Sequence, residues 1–155
     1  MNIFSLKTRK RLFIVAAVLS VLSCFLPIYT IHGYGVVLSI MNEFSEPVTL
    51  MPTLFGVVIL ISAILVAVFS TFRIKVGYII ASLVNVAVSA SGIIDLSIRA
   101  SIDPEKLFEQ VGTPMLYHEV SGVNSSIGYF AVVISILFML GSLLINFLSR
   151  DDEEE

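Results

Sequence analysis

The sequence predicts an all-α membrane protein, a four-transmembrane-helix bundle under a small extracytoplasmic cap. Three observations predict it. The chain is 57% hydrophobic and only 14% charged, where a soluble domain is about a quarter charged. Its mean hydropathy is +0.98. Four uncharged apolar stretches, each 19 residues or longer, recur along it, and about 20 such residues cross a hydrocarbon core as a helix. A water-soluble fold of this composition would leave a large apolar surface wet. A single integral membrane domain accounts for residues 1–155.

The first stretch is 12–31, preceded by Lys7, Arg9, Lys10 and Arg11. A basic start before an apolar run also describes a signal peptide. Val21-Leu22-Ser23-Cys24 approximates a lipoprotein cleavage site, but the apolar run continues through Phe25 and Leu26, so a retained helix is expected. Pro27 should end or kink it near its outer end.

The first outer segment is 32–52. Gly33 and Gly35 disfavour helix, while Val36, Val37, Leu38 and Ile40 favour strand. Asn42–Pro47 suggests a turn and Val48–Met51 a return strand, giving a short β-hairpin. The second span, 53–72, has Ala63, Ala67 and Ser70 on one face. Arg73-Ile74-Lys75 then leads straight into the third span, 74–94. A link that short makes the second and third helices antiparallel neighbours.

The second outer segment, 95–126, contains Asp103-Pro104 followed by Gly112. Asp suits an N-cap, Pro the first helical position and Gly the helix stop. A two-turn amphipathic helix is expected, with Leu107, Phe108 and Val111 on one face, resting on the bundle or in the membrane interface. Met115–Val120 is a candidate strand to pair with the first outer segment. The fourth span is 127–149, and the like-charged tail 151–155 should be disordered.

Positive charge sets orientation. The two ends and the 73–75 link hold seven Lys and Arg, whereas the other two segments hold Arg99 and Lys106 alone. Both termini are therefore expected in the cytoplasm, with the chain in the cell (plasma or inner) membrane. The outer segments then carry seven acids against two bases.

Little in the chain points to chemistry. Gly77, Ala81, Asn85 and Ser89 recur at four-residue spacing on the third span, with Ser82 beside them. Small side chains let helices approach and an amide can bond across, so this stripe is a helix-packing face or a polar path. The middles of the spans lack Asp, Glu, His, Lys and Arg, the groups that ion-coupled transporters use at depth. His32 and His118 lie far apart without a metal-ligand spacing, so no metal and no cofactor is expected. Nucleophile-elbow and phosphate-loop patterns are absent. A single cysteine, Cys24, excludes an internal disulfide and dithiol redox chemistry. The basic N-terminus acts as a topology anchor, and no nucleic acid is expected as a partner.

Phe25-Leu26-Pro27-Ile28-Tyr29, leading into Gly33-Tyr34-Gly35-Val36, resembles the exit of the first helix in a broad set of small prokaryotic four-helix membrane proteins, most of them uncharacterised. The resemblance implies the same layout of spans and carries no functional residues. The layout is also like that of claudins and tetraspanins, but their paired outer cysteines are missing here. The sequence therefore favours a non-enzymatic protein acting through protein contacts, as an accessory subunit, assembly factor or immunity-type protein. The partners expected are the lipid bilayer and a protein or a second copy, with Leu107, Phe108 and Val111 as the candidate contact surface. The alternatives are a small transporter or channel subunit working as an oligomer, and a membrane enzyme.

Overall fold

The computed structural model describes residues 6–37, 40–111 and 117–148. Gly112 as a helix stop, the 149–150 end of the last span and the acidic tail lie outside the described residues. Among the described residues, five helices and three strands follow one another as α1 (Leu6–Phe25), β1 (Tyr29–Val37), β2 (Ile40–Val48), α2 (Leu54–Phe72), α3 (Lys75–Ile102), α4 (Pro104–Val111), β3 (Tyr117–Ser125) and α5 (Ile127–Leu148).

The four long helices pack as a ring: α1 touches α2 and α5, and α3 closes the circuit by touching both. The contact between α2 and α3 is the most extensive among the helices, as the two-residue link between them requires. That link turns through Arg73, at φ 60°. A left-handed residue after a helix lets the following N–H groups cap it, and Ile74 N–H donates to the Phe69 carbonyl at 2.9 Å. At its other end α2 is capped by Thr53, whose Oγ1 accepts from Gly56 N–H at 3.2 Å.

Three helices, α2, α3 and α5, are long and apolar enough to cross a membrane. Helix α1 differs because its first turns contain Lys7, Arg9, Lys10 and Arg11. Its outward side is nevertheless greasy: Val15, Val18, Leu22 and Phe25 are about half exposed. Exposed apolar side chains likewise cover the outer sides of the other long helices, among them Ile61, Ile64, Ile80, Leu83, Leu137 and Leu144.

The cap is a three-stranded antiparallel sheet in the order β2-β1-β3. The expected pairing of the two outer segments is present, but several boundaries differ from the sequence reading. Strand β3 runs to Ser125, past the Val120 expected, and the return strand expected over Val48–Met51 ends at Val48. Helix α1 ends at Phe25, not Ile31, and Tyr29–Ile31 belong to β1. Proline removes a helix donor and fixes the chain in an extended path. Asn42–Pro47 lies inside β2 rather than in a turn, so β2 pairs with β1 over 40–48. Helix α3 continues past Asp95 to Ile102, about two turns beyond the uncharged stretch.

Ending a helix leaves its last carbonyl groups, and the extended chain that follows, in need of partners. The cap supplies them. Ile28 N–H donates to Val48 O at 2.7 Å, Met51 N–H to Cys24 O at 3.1 Å, Ser126 N–H to Ile28 O at 2.8 Å and Gly128 N–H to Pro27 O at 2.8 Å. The exit of α1 is thus clamped by β2, the chain leading into α2 and the start of α5. Ile28 and Ile31 are fully buried there, with Val48, Leu50, Ile93 and Leu96.

Candidate functional site

Two regions hold the polar side chains worth weighing, one deep among the helices and one on the cap. The deep one centres on Asn85 of α3, 2% exposed. Its Nδ2 donates to Ser62 Oγ at 2.9 Å and to Ile59 O at 3.1 Å. Its Oδ1 accepts from Ser20 Oγ at 2.9 Å. An amide has two donors and a two-lone-pair acceptor, so both donors and half of the acceptor are committed. One side chain thereby ties α3 to α2 and to α1.

The other residues of the stripe flank this layer. Ala81 and Ser89 are buried. Gly77 lies against the Phe69 ring of α2, where a Cβ would come within 2.8 Å of the ring. Ser82 Oγ is buried with no hydrogen-bond partner among the described residues and takes no part in the layer. Nearer the N-terminal end of α3, the Tyr78 hydroxyl donates to Asn146 Oδ1 at 3.0 Å and its ring packs 4.8 Å from Phe13. Lys10 Nζ donates to the Thr71 carbonyl at 3.2 Å, a cation at a helix C-terminus. Sequence spacing found Asn85 but not Ser20 and Ser62; their signal was a polar residue near the middle of each neighbouring span.

Asn85→Leu is expected to cost about 1–2 kcal/mol, the scale of interhelical hydrogen bonds inside membranes. Thermal unfolding in detergent measures it. Ser62 softens the loss because its hydroxyl also donates to Ile59 O at 2.9 Å.

The cap has an inner and an outer face, set by strand alternation. On the inner face α4 seats Leu107 and Phe108, each 2% exposed. Phe108 stacks on Phe44 at 4.4 Å and meets the His118 ring at 4.7 Å. This corrects the expectation that Leu107 and Phe108 form a contact surface for a partner. The sheet next to α4 covers its apolar face, so those side chains are core. The Val111 side chain lies outside the described residues. Asp103 caps α4: its Oδ1 accepts from Lys106 N–H at 3.1 Å and its Oδ2 pairs with Lys106 Nζ at 2.8 Å. The ion-paired side chain and then the backbone N–H of Lys106 hold the Asp103 carboxyl below the usual carboxylate range.

On the outer face the register aligns Glu43, Tyr34 and Glu119 in one row across the three strands. All three are exposed. His32, on the same strand face as Tyr34, pairs with Ser45 and Gly122, where β3 bulges; Ser121 Oγ donates to the His32 carbonyl at 3.1 Å. His118 pairs with Gly35 and points to the inner face against Phe108. The two histidines are therefore on opposite faces. Among the described residues no group of three His, Cys, Asp or Glu is placed to hold a metal. Beyond Glu43, β2 leaves Ile40 and Met41 more than 60% exposed, along a sheet edge that has no neighbouring strand among the described residues.

No family model matches the chain, and none of the curated proteins is similar to it in sequence.

Proposed function

We propose that the chain is a non-enzymatic multi-pass membrane protein that crosses the bilayer four times and acts through protein contacts made by its cap. The apolar outer sides of all four long helices, α1 included, support four crossings. The seven-to-two distribution of Lys and Arg supports cytoplasmic ends and an outward-facing sheet. One contrast carries the functional reading. The deep amide of Asn85 is spent on internal bonds, whereas the outward sheet offers an exposed acid–tyrosine–acid row beside the open β2 edge. Unpaired strand edges take up extended partner segments through backbone bonds. The flanking carboxylates favour a basic one.

A photo-crosslinker at Tyr34 in intact cells tests this. A discrete protein adduct is expected, at least about tenfold weaker after Glu43→Lys with Glu119→Lys, since like-charge juxtaposition costs several kcal/mol. Folded, correctly oriented protein that yields no adduct, yet passes solute across liposomes in a manner abolished by Asn85→Leu, would favour the transporter instead.

A further inference from the structure

A cleft of about 400 Å³ opens where the start of α2 meets the outer end of α3 and α4. Its walls include Leu54, Phe55, Leu96 and Leu107, and its polar side chains are Thr53, which caps α2, and Asp95, Arg99 and Gln110. Arg99 Nε pairs with Asp95 Oδ2 at 2.9 Å, and Nη1 donates to Gln110 Oε1 at 3.1 Å. A guanidinium has five N–H donors, so three stay available to a ligand. Both partners of the ion pair are partly exposed, 47% for the Arg99 side chain and 34% for Asp95.

Position decides what such a cleft meets. The uncharged part of α3 ends at Ile94, and Asp95 and Arg99 occupy the next turns, at headgroup level if α3 crosses the bilayer. Leu54 at the cleft mouth, the first residue of α2, is 79% exposed, and Ile94, next to Asp95 on the uncharged side of α3, is 58% exposed. Apolar surface thus continues from the charged pair onto the membrane-facing sides of the helices. The pair has no net charge, so it offers no general attraction to anionic lipid. It does offer a cation and an anion one helical turn apart, the complement of a zwitterion.

We propose that this cleft seats the headgroup of an outer-leaflet aminophospholipid, its phosphate on Arg99 and its primary ammonium on Asp95. A primary ammonium donates N–H bonds to the carboxylate; a trimethylated one has none to give. The inference shares with the proposed function only the membrane placement, not the protein partner.

Native mass spectrometry of the full-length protein, released from bilayers containing equal phosphatidylethanolamine, phosphatidylcholine and phosphatidylglycerol, tests it. Phosphatidylethanolamine should be retained over phosphatidylcholine by about tenfold, the scale of one charge-assisted hydrogen bond. Arg99→Gln and Asp95→Asn should each remove that preference. If Arg99→Gln does not fold, Asp95→Asn carries the test, since it keeps the size of a partly exposed side chain and changes only its charge and one donor group. Equal retention of the two lipids, a preference for phosphatidylglycerol, or a preference that survives Asp95→Asn overturns the proposal. A terminus reached from outside by an impermeant reagent overturns the membrane placement instead, and the protein-contact reading with it.

Discussion

Phe108→Ala is expected to remove about 3–5 kcal/mol from the stability of the cap, the usual cost of deleting a large buried aromatic side chain. The ring is 2% exposed and lies between Phe44 and His118, so its removal leaves a cavity bounded by β2, β3 and α4. The four long helices meet one another mostly through a second apolar cluster, Phe13, Ala63, Val66, Tyr78, Met139 and Leu143, and should stay assembled. Hydrogen exchange reads the difference. Protection should fall across 29–37, 40–48, 104–111 and 117–125 and persist in α2, α3 and α5. The same measurement decides between two roles for an amphipathic helix. If Phe108→Ala leaves exchange unchanged but abolishes crosslinking to a partner, the ring faces outward and the packing described for α4 is wrong.

Why the sequence misassigned Leu107 and Phe108 is instructive. Their spacing correctly gave a two-turn helix with one greasy face, and Asp103 and Pro104 gave its start. Periodicity says that a face must be covered; it does not say by what. The cover is Phe44 and His118 on strands that precede and follow the helix, and their placement depends on register. That register was partly hidden. Tyr29–Ile31 continue the apolar run of α1 without a charge, so hydropathy assigned them to the helix, and the hairpin was placed too late in the chain. Pro27 marked the break. The spans of α2 and α5 were legible because polar caps or links bound uncharged runs of membrane length. Asn85 was legible as the one amide inside an uncharged run of α3. Its partners were not, because a serine inside an apolar helix ordinarily bonds its own backbone, as Ser135 and Ser142 do here.

Gly128→Ala should act against the helix-propensity rule. Residue 128 is the second of α5, and alanine is favoured over glycine in a helix by about 1 kcal/mol. Here a Cβ would stand 2.6 Å from the Leu26 carbonyl oxygen and closer still to that of Pro27. Those atoms belong to backbone and cannot swing aside like the end of a side chain. They are also fixed in place, since Gly128 N–H donates to Pro27 O and Ser126 N–H to Ile28 O, each at 2.8 Å. Relief requires α5 to move away from the exit of α1, loosening both bonds at about 1 kcal/mol apiece and adding an overpacking cost of about 1–3 kcal/mol. The net expectation is a loss of about 2–4 kcal/mol, seen as a lower midpoint of thermal unfolding in detergent. Gly141 provides the comparison on the same helix: beyond its own stretch of helix backbone, no described atom lies within 4 Å of its would-be Cβ, so Gly141→Ala should keep the propensity gain and raise the midpoint. Opposite signs at the two glycines would tie the effect to the clamp between α1 and α5; equal signs would mean that the clamp is not closed in the protein.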